Sequence, residues 1–167
     1  MKVRFLLFSL IISFTFINCA TTPQISSMQA RQITTRMLNG SYENVFRATL
    51  TVLQDQGYVI KNTDMNSGLI VARADKSTAG GSQFMQALFV GYVYDKGTEI
   101  EVSCMVNKIN DGSQELRINI IEAKVGQSSA WSGSSKQDVK TIYDEKIFQE
   151  LFNQITVEVK RREALNR

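Results

Sequence analysis

Apolar positions change their period several times along the 167-residue chain, and each change marks an element. From Arg31 to Leu38, Ile33, Thr35 and Met37 recur at every second position, which predicts a first strand with those three side chains on one face. Asn39-Gly40-Ser41 then turns the chain. Tyr42, Val45, Phe46, Thr49, Leu50 and Leu53 follow at three- and four-residue spacings, the stripe of an amphipathic helix. Ser41 is placed to accept from a free amide of the first turn, and Glu43 adds negative charge at the positive end of the helix dipole. Gly57 ends the helix, because glycine takes the left-handed conformation after a C-cap without a steric penalty.

Period two then returns. Tyr58 to Asn62 and Leu69 to Ala74 flank the turn-like Asp64-Met65-Asn66-Ser67-Gly68, and together they predict a hairpin. In a second hairpin, Ile100, Val102, Cys104 and Val106 alternate with Glu99, Glu101, Ser103 and Asn107. After Asn110-Asp111-Gly112, Leu116, Ile118 and Ile120 alternate with Arg117 and Asn119. One greasy and one wet face is the pattern of an antiparallel sheet covered on a single side. The polar stretch from Gly126 to Lys136 reads as a long loop or a loose edge extension. Asp144 caps a terminal helix whose apolar face is Ile147, Phe148, Leu151, Phe152, Ile155 and Val159, and Lys160, Arg161 and Arg162 suit its negative end. Two helices on one face of a mostly antiparallel sheet give a two-layer α+β fold of helix-grip type, in the order β-α-β-β-β-β-α.

The N-terminus changes the picture of where this domain sits. Met1-Lys2-Val3-Arg4 is basic, and Phe5 to Ile17 is apolar but shorter than the roughly 20 residues of a membrane-spanning helix. These are the parts of a secretory leader. Neither Phe16 with Asn18 nor Asn18 with Ala20 supplies the small pair of an ordinary cleavage site. Phe16-Ile17-Asn18-Cys19 instead resembles a bacterial lipobox, with Asn18 departing from its usual small residue. That resemblance implies a signal peptide over residues 1–18 and a lipid-modified Cys19 as the mature N-terminus. A polar tether over residues 19–30 would then lead to one α+β domain over residues 31–167. Several acyl chains hold a protein stably on a bilayer where one does not. Ala20, which is not aspartate, implies sorting to the outer membrane.

Charge and composition narrow the chemistry. Removal of the leader takes away Lys2 and Arg4 and lowers the formal net charge from +3 to +1, so the basic balance is no argument for nucleic acid as a partner. The chain has no histidine, which removes the commonest general base and metal ligand. No nucleophile or cofactor motif stands in its place: Thr78-Ala79-Gly80-Gly81-Ser82 lacks the lysine that ends a phosphate-binding loop. Glu99 and Glu101 share a strand face but read as a solvated surface. Cys104 reads as a small core hydrophobe, and once Cys19 carries lipid it has no partner for a disulfide. The expectation is a protein that is not an enzyme and holds neither cofactor nor metal.

Contact residues are sought instead among exposed aromatic groups. The segment from Gln83 to Tyr94 is apolar yet fits neither hairpin, so Phe84, Leu88, Phe89, Tyr92 and Tyr94 are candidates for a partner surface or for completing the core. Trp131, in a polar stretch, is a second candidate, either for a partner surface, tryptophan being enriched at binding hot spots, or for local packing.

Taken together, the strand at Arg31-Gln32-Ile33-Thr34-Thr35-Arg36, the helix stop and strand start of Leu53-Gln54-Asp55-Gln56-Gly57-Tyr58-Val59-Ile60, the returning Gly68-Leu69-Ile70-Val71-Ala72 and the terminal Ile142-Tyr143-Asp144 leading to Phe148 and Phe152 resemble a pattern in small bacterial lipoproteins. The arrangement also resembles the helix-grip domains of component C of the outer-membrane β-barrel assembly machinery. The resemblance implies a non-catalytic envelope role, as a scaffold or interaction module with an envelope protein as partner. The other reading is a lipoprotein that holds lipid or another apolar ligand between the terminal helix and the sheet. A side-chain-filled space beneath Phe148 and Phe152 would count against that reading.

Overall fold

The computed structural model describes residues 25–75, 98–126 and 135–165. Among them, helix α1 (Ser27–Thr34) leads directly into strand β1 (Thr35–Asn39), and a tight turn opens helix α2 (Tyr42–Asp55). Strands β2 (Val59–Asp64), β3 (Leu69–Asp75), β4 (Thr98–Asn110), β5 (Ser113–Gly126) and β6 (Ser135–Ile142) follow, and helix α3 (Glu145–Leu165) closes the order. The six strands form one antiparallel sheet, β1-β5-β4-β3-β2, with β6 also on β5. β5 is long enough to hold two strands along one side: β1 pairs with residues 113–117 and β6 with residues 120–126.

The predicted two-layer α+β architecture stands, with α2 and α3 packed on each other and on the sheet. Ser41 caps α2 by accepting from the Asn44 amide at 3.3 Å, as its position predicts. At the other end, Tyr58 N–H donates to the Leu53 carbonyl and Gly57 N–H to that of Gln54, both at 2.9 Å, while Gly57 sits at φ 88°. That pair of bonds is a Schellman ending, which only a residue tolerant of positive φ allows. Asp144 Oδ1 accepts from Lys146 and Ile147 amides at the start of α3.

Alternation along β4 and β5 sorts the two faces. Ile100, Val102, Cys104, Val106, Leu116, Ile118 and Ile120 are all buried under the helices. Phe46, Phe148, Phe152, Leu53, Ile70 and Ile142 fill the space between the layers, each almost fully enclosed. Side chains at this density leave few voids larger than a water molecule.

Two expectations are corrected. Residues 31–34 are helical, and the strand begins only at Thr35. Its faces are also reversed: Leu38 is 3% exposed and enters the core, while Met37 is 51% exposed. The reason is a capping box at Ser26, where Ser26 Oγ accepts from Gln29 N–H and Gln29 Oε1 accepts from Ser26 N–H at 3.1 Å. The helix therefore starts at Ser27, within the stretch read as a tether. The second correction is β6. Among its described side chains, Ile142 is buried and Val139 is 54% exposed. The observed order among the described residues is thus α-β-α-β-β-β-β-β-α.

Candidate functional site

Among the described residues three strands are paired on one side only: β1, β2 and β6, of which β6 carries a register shift against β5 between Ala123 and Lys124. β2 bears a bulge between Ile60 and Asn62 and exposes Lys61, Asn62, Thr63 and Asp64. Bulges and charges are devices that block edge-to-edge pairing. β1 has no bulge, and among the described residues no strand pairs with its second side.

The backbone geometry of β1 follows from one bond. Gly40 N–H donates to the Gly112 carbonyl at 3.0 Å, which continues the β1–β5 register by one pair. Bonded and non-bonded pairs alternate in an antiparallel ladder, so Leu38 and Arg36 turn their peptide groups toward β5. The N–H and C=O groups of Met37 and Asn39 consequently point to the open side. Side chains alternate at right angles to this: Arg36 and Leu38 face α3, and Met37 faces away from it.

Two depressions flank Arg36 along the seam between β1 and α3. One, of about 280 Å³, is lined by β1 from Arg36 to Asn39 and by Phe152, Asn153, Thr156, Val159 and Lys160 of α3. The other, of about 410 Å³, lies between α1 and the start of α3, with Ile25, Gln29, Ile33, Glu145 and Gln149 in its walls. The Arg36 guanidinium stands between them, 5.3 Å from the centroid of the Phe152 ring, a cation–π distance. Arg36 and Lys160 have no carboxylate partner among the described residues, and no acidic side chain lines the smaller depression.

The far end of the seam is held rigidly. Glu163 Oε1 accepts from the Ser41 amide and from Asn44 Nδ2, both at 2.8 Å, tying the end of α3 to the start of α2. Glu158 accepts from Arg161 and Arg162, and the hydrogen-bonded Arg161 guanidinium holds its carboxyl below the usual glutamate range. Arg162 reaches on to Thr51 Oγ1 at 2.8 Å, and Gln56 bonds Gln154. These bonds fix α3 relative to α2, so the groove beside β1 is preformed.

Other candidate chemistry is accounted for. Glu99 and Glu101 both meet Arg73 of β3, Glu101 at 2.7 Å, and the trio lies on the sheet face away from the helices. Cys104 is fully buried, and burial pushes its thiol up to about 12. A larger open cleft of about 800 Å³ lies at the hairpin tips beside Tyr42, Met65, Lys108 and Asp111. Its charged groups are already matched: Lys108 is 2.8 Å from Asp111, and Tyr42 O–H donates to the Met65 carbonyl at 2.6 Å. No cluster of three potential metal ligands occurs among the described residues, and no described helix is long and apolar enough to cross a membrane.

Of the residues singled out from the sequence, Cys19, Phe84, Leu88, Phe89, Tyr92, Tyr94 and Trp131 all lie outside the described residues. The β1–α3 seam was not singled out there. Its sequence signal was the capping box at Ser26 and Gln29, which opens a helix where a strand period was read.

No protein-family model matches the chain, and a comparison with curated proteins finds no match. Among solved structures, the chain is similar to the adenylate sensor from AMP-activated protein kinase in complex with 5-aminoimidazole-4-carboxamide 1-beta-D-ribofuranotide. The likeness covers 74% of this chain and 93% of that one, at 12% identity and a TM-score of 0.39, too low to carry an argument about ligand or activity.

Proposed function

We propose that this chain is a lipoprotein of the bacterial envelope, held at the outer membrane by lipid on Cys19, whose domain is a non-catalytic module that binds another envelope protein. The observation that carries the binding role is the edge of β1 that no described strand pairs with, beside the groove against α3, in a sheet whose β2 edge is bulged and charged. An open strand edge offers main-chain donors and acceptors to an added strand, and the neighbouring groove offers places for its side chains. The alternative reading, an apolar ligand held between α3 and the sheet, loses its support because Phe46, Phe148 and Phe152 occupy that space.

Site-specific photo-crosslinking in native envelopes tests the reading. A photoreactive residue at position 37 is expected to give a discrete crosslinked protein band, and one at position 61, on the β2 edge, to give none. Equal labelling at both positions would refute the assignment of the edge. Cys19→Ala is expected to abolish incorporation of radiolabelled palmitate and release the protein from the membrane fraction. Labelled palmitate in the variant would sink the lipid attachment.

A further inference from the structure

We propose that the β1–α3 seam recognises an extended segment of a partner protein in which acidic side chains alternate with apolar ones, added to β1 as a further strand. The inference rests on the interaction-module reading and names the chemistry of the partner.

The argument starts from the ladder. A strand that joins β1 would bond the outward N–H and C=O of Met37 and Asn39. Its residues opposite Arg36 and Leu38 would then turn toward α3, into the groove whose charged groups are Arg36 and Lys160. Residues between them would turn the other way, beside the exposed Met37 side chain. The period of a strand therefore translates the site into a guest pattern: carboxylates at alternate positions on the groove side, apolar groups on the other.

Charge selects among occupants. Arg36 is held over Phe152 with no carboxylate partner among the described residues, so less of its rotamer freedom remains to be lost when a carboxylate arrives. Lys160 extends the same sign along the groove. A second copy of this chain fits poorly: self-pairing of two β1 edges about Met37 would bring two Arg36 and two Lys160 into one seam, where the carboxylates are Glu145, in the depression on the other side of Arg36, and Glu163, already bonded to Ser41 and Asn44. A basic segment would meet like charge. An acidic one matches both cations.

The full-length mature protein, with the lipid-bearing cysteine replaced for solubility, allows a direct test by fluorescence anisotropy. The probe is a labelled synthetic peptide alternating valine with glutamate, compared with its lysine counterpart. The glutamate peptide is expected to bind at least about tenfold more tightly at low salt, and Arg36→Gln with Lys160→Gln is expected to erase the difference. A glutamate peptide N-methylated at alternate residues is expected to lose binding, because it cannot join the ladder. Circular dichroism melts establish that the double variant is folded. Equal affinity for the two peptides, or unchanged affinity in the folded double variant, overturns the acidic partner. In that case loss of binding on N-methylation alone would leave the edge reading standing. Undiminished binding of the N-methylated peptide overturns strand addition. A dimer in sedimentation that is abolished by Met37→Pro assigns the edge to a second copy and overturns the proposal.

Discussion

Cys104 lies in the middle of the sheet, opposite Ile70 on β3 and Ile118 on β5, and is 1% exposed. Its place in the row Ile100, Val102, Cys104, Val106, alternating with Glu101 and Ser103, was enough to put it on the core face, since a strand turns successive side chains to opposite sides. Burial raises its thiol from an ordinary value of 9.0 to about 12. The unfolded chain therefore ionises this group first as pH rises, so the contribution to stability is complete below pH 9 and is lost between pH 9 and 12. Denaturant titrations of the wild type are expected to lose up to about 1.4 kcal/mol per pH unit across that window relative to Cys104→Ala. Parallel curves for the two proteins would show that the thiol is not buried as described. Glu99 and Glu101 teach the reverse lesson. Their shared face was legible, but the cation between them, Arg73, comes from another strand 28 residues before Glu101, and only strand register brings it there.

Helix starts follow short-range chemistry and should have been readable at every site. Ser41 and Asp144 were found because a polar cap preceded a clear apolar stripe. Ser26 escaped because Ile33, Thr35 and Met37 match a strand period over a short window. The capping box with Gln29 competes for the same residues and wins up to Thr34. Asp144→Ala is expected to cost about 1 kcal/mol, measured by denaturant unfolding, and Asp144→Asn much less, because an asparagine oxygen can still accept from the same amides. An equal loss for both variants would assign the effect to charge instead of capping. At β6, by contrast, the sequence carries a weak signal. A strand attached to the outer part of β5 buries only Ile142 among its described side chains, so selection for alternation is slight.

At the scale of the whole molecule, the two layers meet through aromatic side chains from both helices. Phe46 comes from α2, and Phe148 and Phe152 from α3. Phe148→Ala is expected to lower stability by about 3–5 kcal/mol, read from calorimetry or denaturant unfolding. A loss below 1 kcal/mol, or a gain of stability on adding a fatty acid to the wild type, would mean that the space can hold a guest. The same layer sets the binding geometry, since the buried Phe152 ring carries the Arg36 guanidinium over its face. The bonds that Asn44 Nδ2 donates to Glu163 and Arg162 donates to Thr51, both 2.8 Å, hold α3 against α2.

The sequence by itself determined the elements whose burial repeats: both hairpins, α2 with its cap and glycine stop, α3, and the inward row on β4 and β5. In α2, α3 and the middle of β3, β4 and β5 one face meets the core, so the apolar period is imposed turn by turn or pleat by pleat there, while β2 is read from its turn and its pairing with β3. Only the tertiary structure decided the seam. That β1 and β6 share one side of β5, that no described strand pairs with the outward edge of β1, and that Arg36 stands over Phe152 all depend on strand register and on contacts between residues distant in the chain. Local periodicity says which side chains face inward, but not which strand lies next to which.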